Sequence, residues 1–169
     1  MCSCVWKERT DMSKAVFPGS FDPVTVGHLD LIRRASRMFD ELVVGVLINS
    51  GKHPMLTRQQ RVDMLRELTG DMPHVTVEAF DGLLIDFVDQ TGADAIVRGI
   101  RNSVDFEYEL PLAQGNHKLN SRADTVFLAT APEYSYISST MVKEVLQFGG
   151  NVQGMVPDIV LAQIKQRQK

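Results

Sequence analysis

The chain predicts an α/β fold, a Rossmann-like open sheet of five parallel strands with helices on both faces. Three observations carry that prediction. Short apolar, β-branched runs alternate along the chain with stretches of helical period. Two of the runs are apolar throughout, as strands covered on both faces are. At 169 residues, 44% apolar and 23% charged, the chain can bury one substantial core, and two full domains do not fit.

In chain order, the first strand is expected at 15–17, Ala-Val-Phe, and a helical stretch follows at 29–39 with Leu31, Ile32, Ala35, Met38 and Phe39 on one face. The second strand is 41–48, Glu-Leu-Val-Val-Gly-Val-Leu-Ile. Thr57 followed by Gln60 is a capping-box pattern, opening a second helix whose inner face is Val62, Leu65 and Leu68 and which Gly70 stops. After a third strand at 74–80, a third helix runs from Gly82 through Leu83, Leu84, Phe87 and Val88, with Gly92 where a left-handed cap would fall. The fourth strand is 93–98, and Pro111 is expected to kink the helix that follows Asp105. The fifth strand, 125–129, is expected to be buried on both faces like the second. Ser138 caps a helix with Met141, Val142, Val145 and Leu146 inward, Gly149 and Gly150 end it, and a last helix follows Pro157. Residues 1–13 are aperiodic and are expected to be a loosely ordered extension, with Met12 a second plausible start; 14–169 is expected to be a single domain.

Composition narrows the partners. A net charge of −3 offers no general attraction for nucleic acid or anionic membranes. No apolar run approaches the about 18 residues of a membrane span. Cys2 and Cys4 lie outside every periodic segment and build neither a disulfide framework nor a zinc site, which fits a reduced, cytoplasmic setting. The partner should be small, and its phosphates must be met by local basic residues.

In an open parallel sheet ligands bind beyond the carboxyl ends of the strands, so the loops there carry the chemistry. Gly19-Ser-Phe-Asp-Pro-Val-Thr-Val-Gly-His28 joins the first strand to the first helix. Two glycines, a hydroxyl and a helix N-terminus suit an anion, and His28 in the first turn could donate to charge developing on phosphorus, or could simply cap the helix. Lys52, in Asn49-Ser-Gly-Lys-His-Pro54, stands after the second strand on the same edge. Arg98 and Arg101 flank Gly99 after the fourth strand, as planar donors for phosphate oxygens or as partners of Asp105, Glu107 and Glu109. Ser138, Ser139 and Thr140 place three hydroxyls where one would cap a helix. No metal cluster, Walker loop or nucleophile elbow is present in the sequence.

Pro-Gly-Ser-Phe-Asp-Pro-Val-Thr-Val-Gly-His (18–28), Arg-Gly-Ile-Arg with Asp-Phe-Glu-Tyr-Glu (98–109) and Tyr-Ile-Ser-Ser-Thr-Met-Val-Lys (136–143) together resemble the bacterial phosphopantetheine adenylyltransferases, of the nucleotidyltransferase superfamily with the (H/T)xGH motif. The likeness runs from about Lys14 to the last helix, and the 98–109 pattern is its most specific part. It implies transfer of the adenylyl group of ATP to 4′-phosphopantetheine, giving dephospho-coenzyme A and pyrophosphate, with magnesium carried by the nucleotide. It also implies a homohexamer and coenzyme A as a candidate inhibitor. On the same resemblance His28, Lys52 and Arg101 are catalytic, His28 as the transition-state stabiliser. Ser20, Phe21, His28, Gly99, Ile100, Arg101, Glu109, Tyr134, Ser135, Tyr136, Ile137, Ser138, Ser139 and Thr140 line the ATP site. Ser20 and Lys52 hold the attacking phosphate, and Leu84 and Arg98 contact the pantetheine substrate. Ser20 stands where the family commonly has threonine, and Pro111 is a departure inside the helix expected after Asp105.

Overall fold

The structure is a computed structural model that describes residues 13–48 and 54–167. Five strands form one parallel sheet: β1 (Lys14–Gly19), β2 (Glu41–Leu47), β3 (Val75–Phe80), β4 (Ala95–Ile100) and β5 (Asp124–Ala129), in the order β3-β2-β1-β4-β5. Between and after them run α1 (Val26–Ala35), α2 (Arg58–Leu68), α3 (Leu84–Thr91), α4 (Ser103–Leu119), α5 (Ser139–Gln147) and α6 (Asp158–Arg167). The five-stranded fold predicted from sequence is the one observed. Of the extension expected at 1–13, all but Ser13 lies outside the described residues.

Side chains alternate across the sheet and divide the core in two. Ala15, Phe17, Leu42, Val44, Val46 and Val97 face one side, where α1, α2, α5 and α6 add Ile32, Leu65, Val142 and Val160. Val16, Val43 and Ile96 face the other, covered by Ile85, Phe87 and Val88 of α3. Capping chemistry fixes the helix starts: Thr57 accepts from the Gln60 amide while the Gln60 side chain accepts from Thr57, as its spacing predicted. Gly92 adopts φ 69°, the left-handed cap expected after α3.

Some expectations need correction. β5 is buried at only one position, because it is the edge strand and has a neighbour on one side only. Met38 lies beyond the end of α1 and is exposed, and Leu83 is the unburied N-cap of α3. Apart from these corrections, Pro111 falls inside α4, the helix expected after Asp105, and none of that helix's residues is buried.

The strand order reverses at β1: β2 and β3 lie to one side, β4 and β5 to the other. β1 pairs with β2 over six residues, from Lys14 to Gly19, yet with β4 only at Ala15 and Val16. Pro18, which shares its strand edge with Val16, has no N–H to extend that ladder, and its carbonyl instead accepts from Arg98 Nη1 at 2.7 Å. The two strands part at their carboxyl ends, and a cleft opens at the switch point.

Candidate active site

The loop from Gly19 to Thr25 builds the floor of this cleft. Phe21 is buried and takes φ 48°, a left-handed conformation that costs a non-glycine residue about 1–2 kcal/mol. The turn folds its ring back over Gly19, where a Cβ would stand 2.9 Å from the ring, so only glycine fits beneath it. The same ring meets His28 edge-on at 5.3 Å between centroids and stacks on Phe17 at 6.2 Å. The Asp22–Pro23 peptide is cis.

Thr25 caps α1 and shares a capping box with His28. The Thr25 hydroxyl accepts from the His28 amide at 3.2 Å, and His28 Nδ1 accepts from the Thr25 amide at 3.1 Å. A backbone N–H can only donate, so Nδ1 carries no proton and the neutral ring holds its proton on Nε2. Burial first, then the charges of Arg101 and Arg98, push the His28 pKa down from 6.5 to about 4. At neutral pH the cleft is therefore lined by a neutral imidazole of fixed tautomer. Of the two readings left open for this residue the cap is observed, with Nδ1 closing the capping box, and the ring edge also lines the cleft.

Arg98, on β4, and Arg101, just after it, both pair with carboxylates and both line the cleft. Arg98 Nε and Nη2 bond the Glu109 carboxylate at 2.8 and 2.5 Å, and Arg101 Nε and Nη2 bond Asp105 at 2.7 and 2.8 Å. Arg101 holds the Asp105 carboxyl below its ordinary range and is itself raised by it. These bidentate pairs fix two guanidinium planes on the cleft wall. Gly99 lies between them and is packed so closely that a Cβ would stand 2.3 Å from Leu31 Cδ1.

The three hydroxyls at the start of α5 have separate tasks. Ser138 Oγ caps the helix, accepting from the Met141 amide at 3.0 Å. Ser139 Oγ donates to the Pro23 carbonyl at 2.8 Å, tying α5 to the glycine loop. Thr140 lines a second cavity.

Two cavities adjoin at the switch point. The first, of about 270 Å³, is bounded by the glycine loop, His28, Gly99, Arg101, Tyr134, Ile137 and Ser138. The second, of about 450 Å³, mixes apolar walls from Leu47, Phe80, Leu84, Leu112 and Ala113 with Arg61, Asn116 and Lys143. Pro18, Gly19, Ser20, Arg98, Glu109 and Ser139 border both. Of the residues singled out from sequence, Ser20, Phe21, His28, Gly99, Arg101, Glu109, Tyr134, Ile137, Ser138 and Ser139 stand on the first cavity, while Leu84 and Thr140 stand on the second. Ile100, Ser135 and Tyr136 line neither. Lys52 lies outside the described residues.

Sequence reasoning missed Asp22, Arg61 and Lys143. Asp22 is buried and accepts from the Met55 and Leu56 amides at 3.0 and 2.9 Å and from Lys143 Nζ at 3.3 Å, joining the glycine loop to the approach to α2 and to α5. An aspartate before a proline looks like an ordinary turn residue. Arg61 had a signal: with Leu65 and Leu68 it follows the i, i+4, i+7 spacing of the buried stripe, where a solvated arginine does not belong.

Residues 16–145 match the Cytidylyltransferase-like family. The chain is 48% identical over 158 residues to the phosphopantetheine adenylyltransferase of Caldanaerobacter subterraneus subsp. tengcongensis, covering 94% of this chain and 99% of that one. It is 51% identical over 150 residues to the phosphopantetheine adenylyltransferase of Lachnoclostridium phytofermentans, covering 89% and 92%. Among solved structures, a Vibrio parahaemolyticus chain provisionally assigned as a nicotinate-nucleotide adenylyltransferase superposes with a TM-score of 0.66 at 17% identity, over 91% of this chain and 99% of that one, a likeness of fold.

Proposed function

The chain belongs to the Cytidylyltransferase-like family and, within it, to the phosphopantetheine adenylyltransferases, and we infer that it is an enzyme transferring the adenylyl group of ATP to 4′-phosphopantetheine, with dephospho-coenzyme A and pyrophosphate as products. The observation that carries this reading is the pair of adjoining cavities at one switch point, with Ser20 and Arg98 on their common border. One cavity suits a nucleotide, the other a long, partly apolar acceptor whose phosphate reaches the border.

In this reading a phosphate oxygen of the acceptor attacks the α-phosphorus of ATP, the bond from that phosphorus to the bridging oxygen breaks, and pyrophosphate leaves with the electron pair. No enzyme nucleophile is required, and His28 Nδ1 is already engaged by Thr25. Catalysis then rests on position and on charge stabilisation. His28 donates Nε2–H to the α-phosphate oxygens as negative charge builds there. Arg98 and Arg101, held by Glu109 and Asp105, present fixed cationic planes. The loop amides around Ser20 and Phe21 and the N-terminus of α5 add donors for the phosphates. Lys52 belongs to the same proposal as a second cation on the attacking phosphate.

Magnesium is part of the reading as the companion of the nucleotide. Among the described residues no group of three or more acidic, histidine or cysteine side chains forms a cage. This fits an ion held by the triphosphate's own oxygens, and no step above is assigned to it. Assembly into a homohexamer is supported by α4, a 17-residue helix with none of its residues buried and with Val104, Tyr108, Leu112 and Leu119 exposed. A cytoplasmic location agrees with the absence, among the described residues, of any helix long and apolar enough to cross a membrane. Coenzyme A, which carries the acceptor's pantetheine arm, is proposed as an inhibitor competing for the second cavity.

The test is pyrophosphate release from magnesium, ATP and 4′-phosphopantetheine, with nicotinate mononucleotide and CTP as controls. Release with phosphopantetheine alone is expected; its absence sinks the reading.

A further inference from the structure

Arg61 stands apart from the other cations of the two cavities. Arg98 is paired with Glu109, Arg101 with Asp105 and Lys143 with Asp22. Among the described residues Arg61 has no carboxylate within salt-bridge distance, although it is 4% exposed and lines the second cavity. Its Nη1 donates to the Ser20 carbonyl at 2.7 Å and to the Leu47 carbonyl at 3.2 Å, and among the described residues its buried Nε has no partner. Taking a guanidinium out of water costs free energy that two carbonyl dipoles offset only in part. Such a charge beside a cavity is suited to balancing an anion held in that cavity.

The two bonds also show where the charge acts. Ser20 directly follows β1 and Leu47 ends β2, so one guanidinium clasps the carboxyl ends of adjacent strands. Holding the Ser20 carbonyl fixes the peptide plane between Ser20 and Phe21, and with it the direction of the Phe21 amide and the setting of the Ser20 hydroxyl on the border of both cavities. We propose that Arg61 is a positioning residue of the acceptor-phosphate subsite, a buried cation that sets the Ser20 loop and balances the phosphate seated between the cavities. This rests on the adenylyl-transfer reading above and adds to it a residue that does not lie on any of its recognition motifs.

The test compares 4′-phosphopantetheine with pantetheine, which lacks the phosphate, as calorimetric ligands for the parent chain and for Arg61→Met. The preference for the phosphorylated ligand should fall at least about tenfold in the variant, while pantetheine affinity stays within about threefold. A purely structural role would weaken both ligands together, and an unchanged preference overturns the proposal. Should Arg61→Met fail to fold, the unmutated protein decides. The Arg61 ¹⁵Nε resonance should shift on adding phosphopantetheine or inorganic phosphate and stay in place with pantetheine, and no phosphate-dependent shift overturns the proposal. Pyrophosphate release by the parent is followed in parallel. Its absence counts against adenylyl transfer, whereas an unchanged preference in the variant, beside a parent that turns over, counts against Arg61 alone.

Discussion

His28→Asn separates the two tasks of one ring. Asparagine carries its Oδ1 at the same bond distance from Cβ as the histidine Nδ1, so it can still accept from the Thr25 amide and close the capping box. It has no counterpart of Nε2, and the donor proposed for the α-phosphate is lost. Thr25 is buried, and leaving its amide without an acceptor, as His28→Ala does, costs about 1–3 kcal/mol. For a chain of this length that is a fall in Tm of about 2–4 °C per kcal/mol. The asparagine variant avoids this loss, and its Tm should stay close to the parent's. Removing one preorganised donor from a charge-stabilising array lowers kcat by about 10²–10³. The expected signature is therefore a near-parental melting curve, a little-changed KM for ATP and a kcat two to three orders of magnitude lower, on the order set by that single donor. Steady-state pyrophosphate release and a thermal melt on the same preparation supply both numbers. A folded His28→Asn enzyme with kcat within about tenfold of the parent would refute the role given to Nε2.

Three further outcomes follow from the geometry. The His28 pKa is lowered to about 4, so between about 6.5 and 4 the unfolded chain takes up a proton that the folded chain refuses, and stability must fall as pH falls through that window. The loss is at most about 3 kcal/mol, less whatever solvent at the ring edge restores. Asp105, held low by Arg101, adds a loss of the same sign at lower pH. Denaturant melts at pH 7, 5.5 and 4.5 check this, and His28→Asn should flatten the upper part of the profile. Gly99→Ala places a methyl 2.3 Å from Leu31 Cδ1 in a packed core, which should cost about 1–3 kcal/mol and raise the KM for ATP, because Leu31 also walls the cavity proposed for the nucleotide; a variant with parental Tm and KM would contradict that packing. Glu109→Gln keeps an acceptor beside Arg98 but removes the charge, and a loss of about 1–3 kcal/mol, read as a lower midpoint in urea, is expected from a pair whose carboxylate is mostly buried.

Much of the fold was legible because its signals are local. Thr57 and Gln60 announce α2 through a reciprocal bond three residues long, and Gly92 ends α3 where a side chain would clash with a left-handed backbone. The motifs at 18–28, 98–109 and 136–143 likewise gather most of the residues that border the cavities. Where the sequence misled, the missing information was a neighbour. An apolar run does not reveal that β5 is an edge strand, and an arginine beside Asp105, Glu107 and Glu109 does not reveal which carboxylate each guanidinium takes.

By itself, then, the sequence determined the order and kind of the elements, the family and the loops that border the cavities, since period, caps and short motifs are written within a few residues of one another. Only the tertiary structure decided that Pro18 stops the β1–β4 ladder and opens the cleft, that the Thr25 amide sets the tautomer of His28, and that Arg61 comes within 2.7 Å of the Ser20 carbonyl with no carboxylate beside it among the described residues. Those facts depend on which groups approach across the sheet. Burial and electrostatic balance belong to that three-dimensional neighbourhood, which no window along the chain contains.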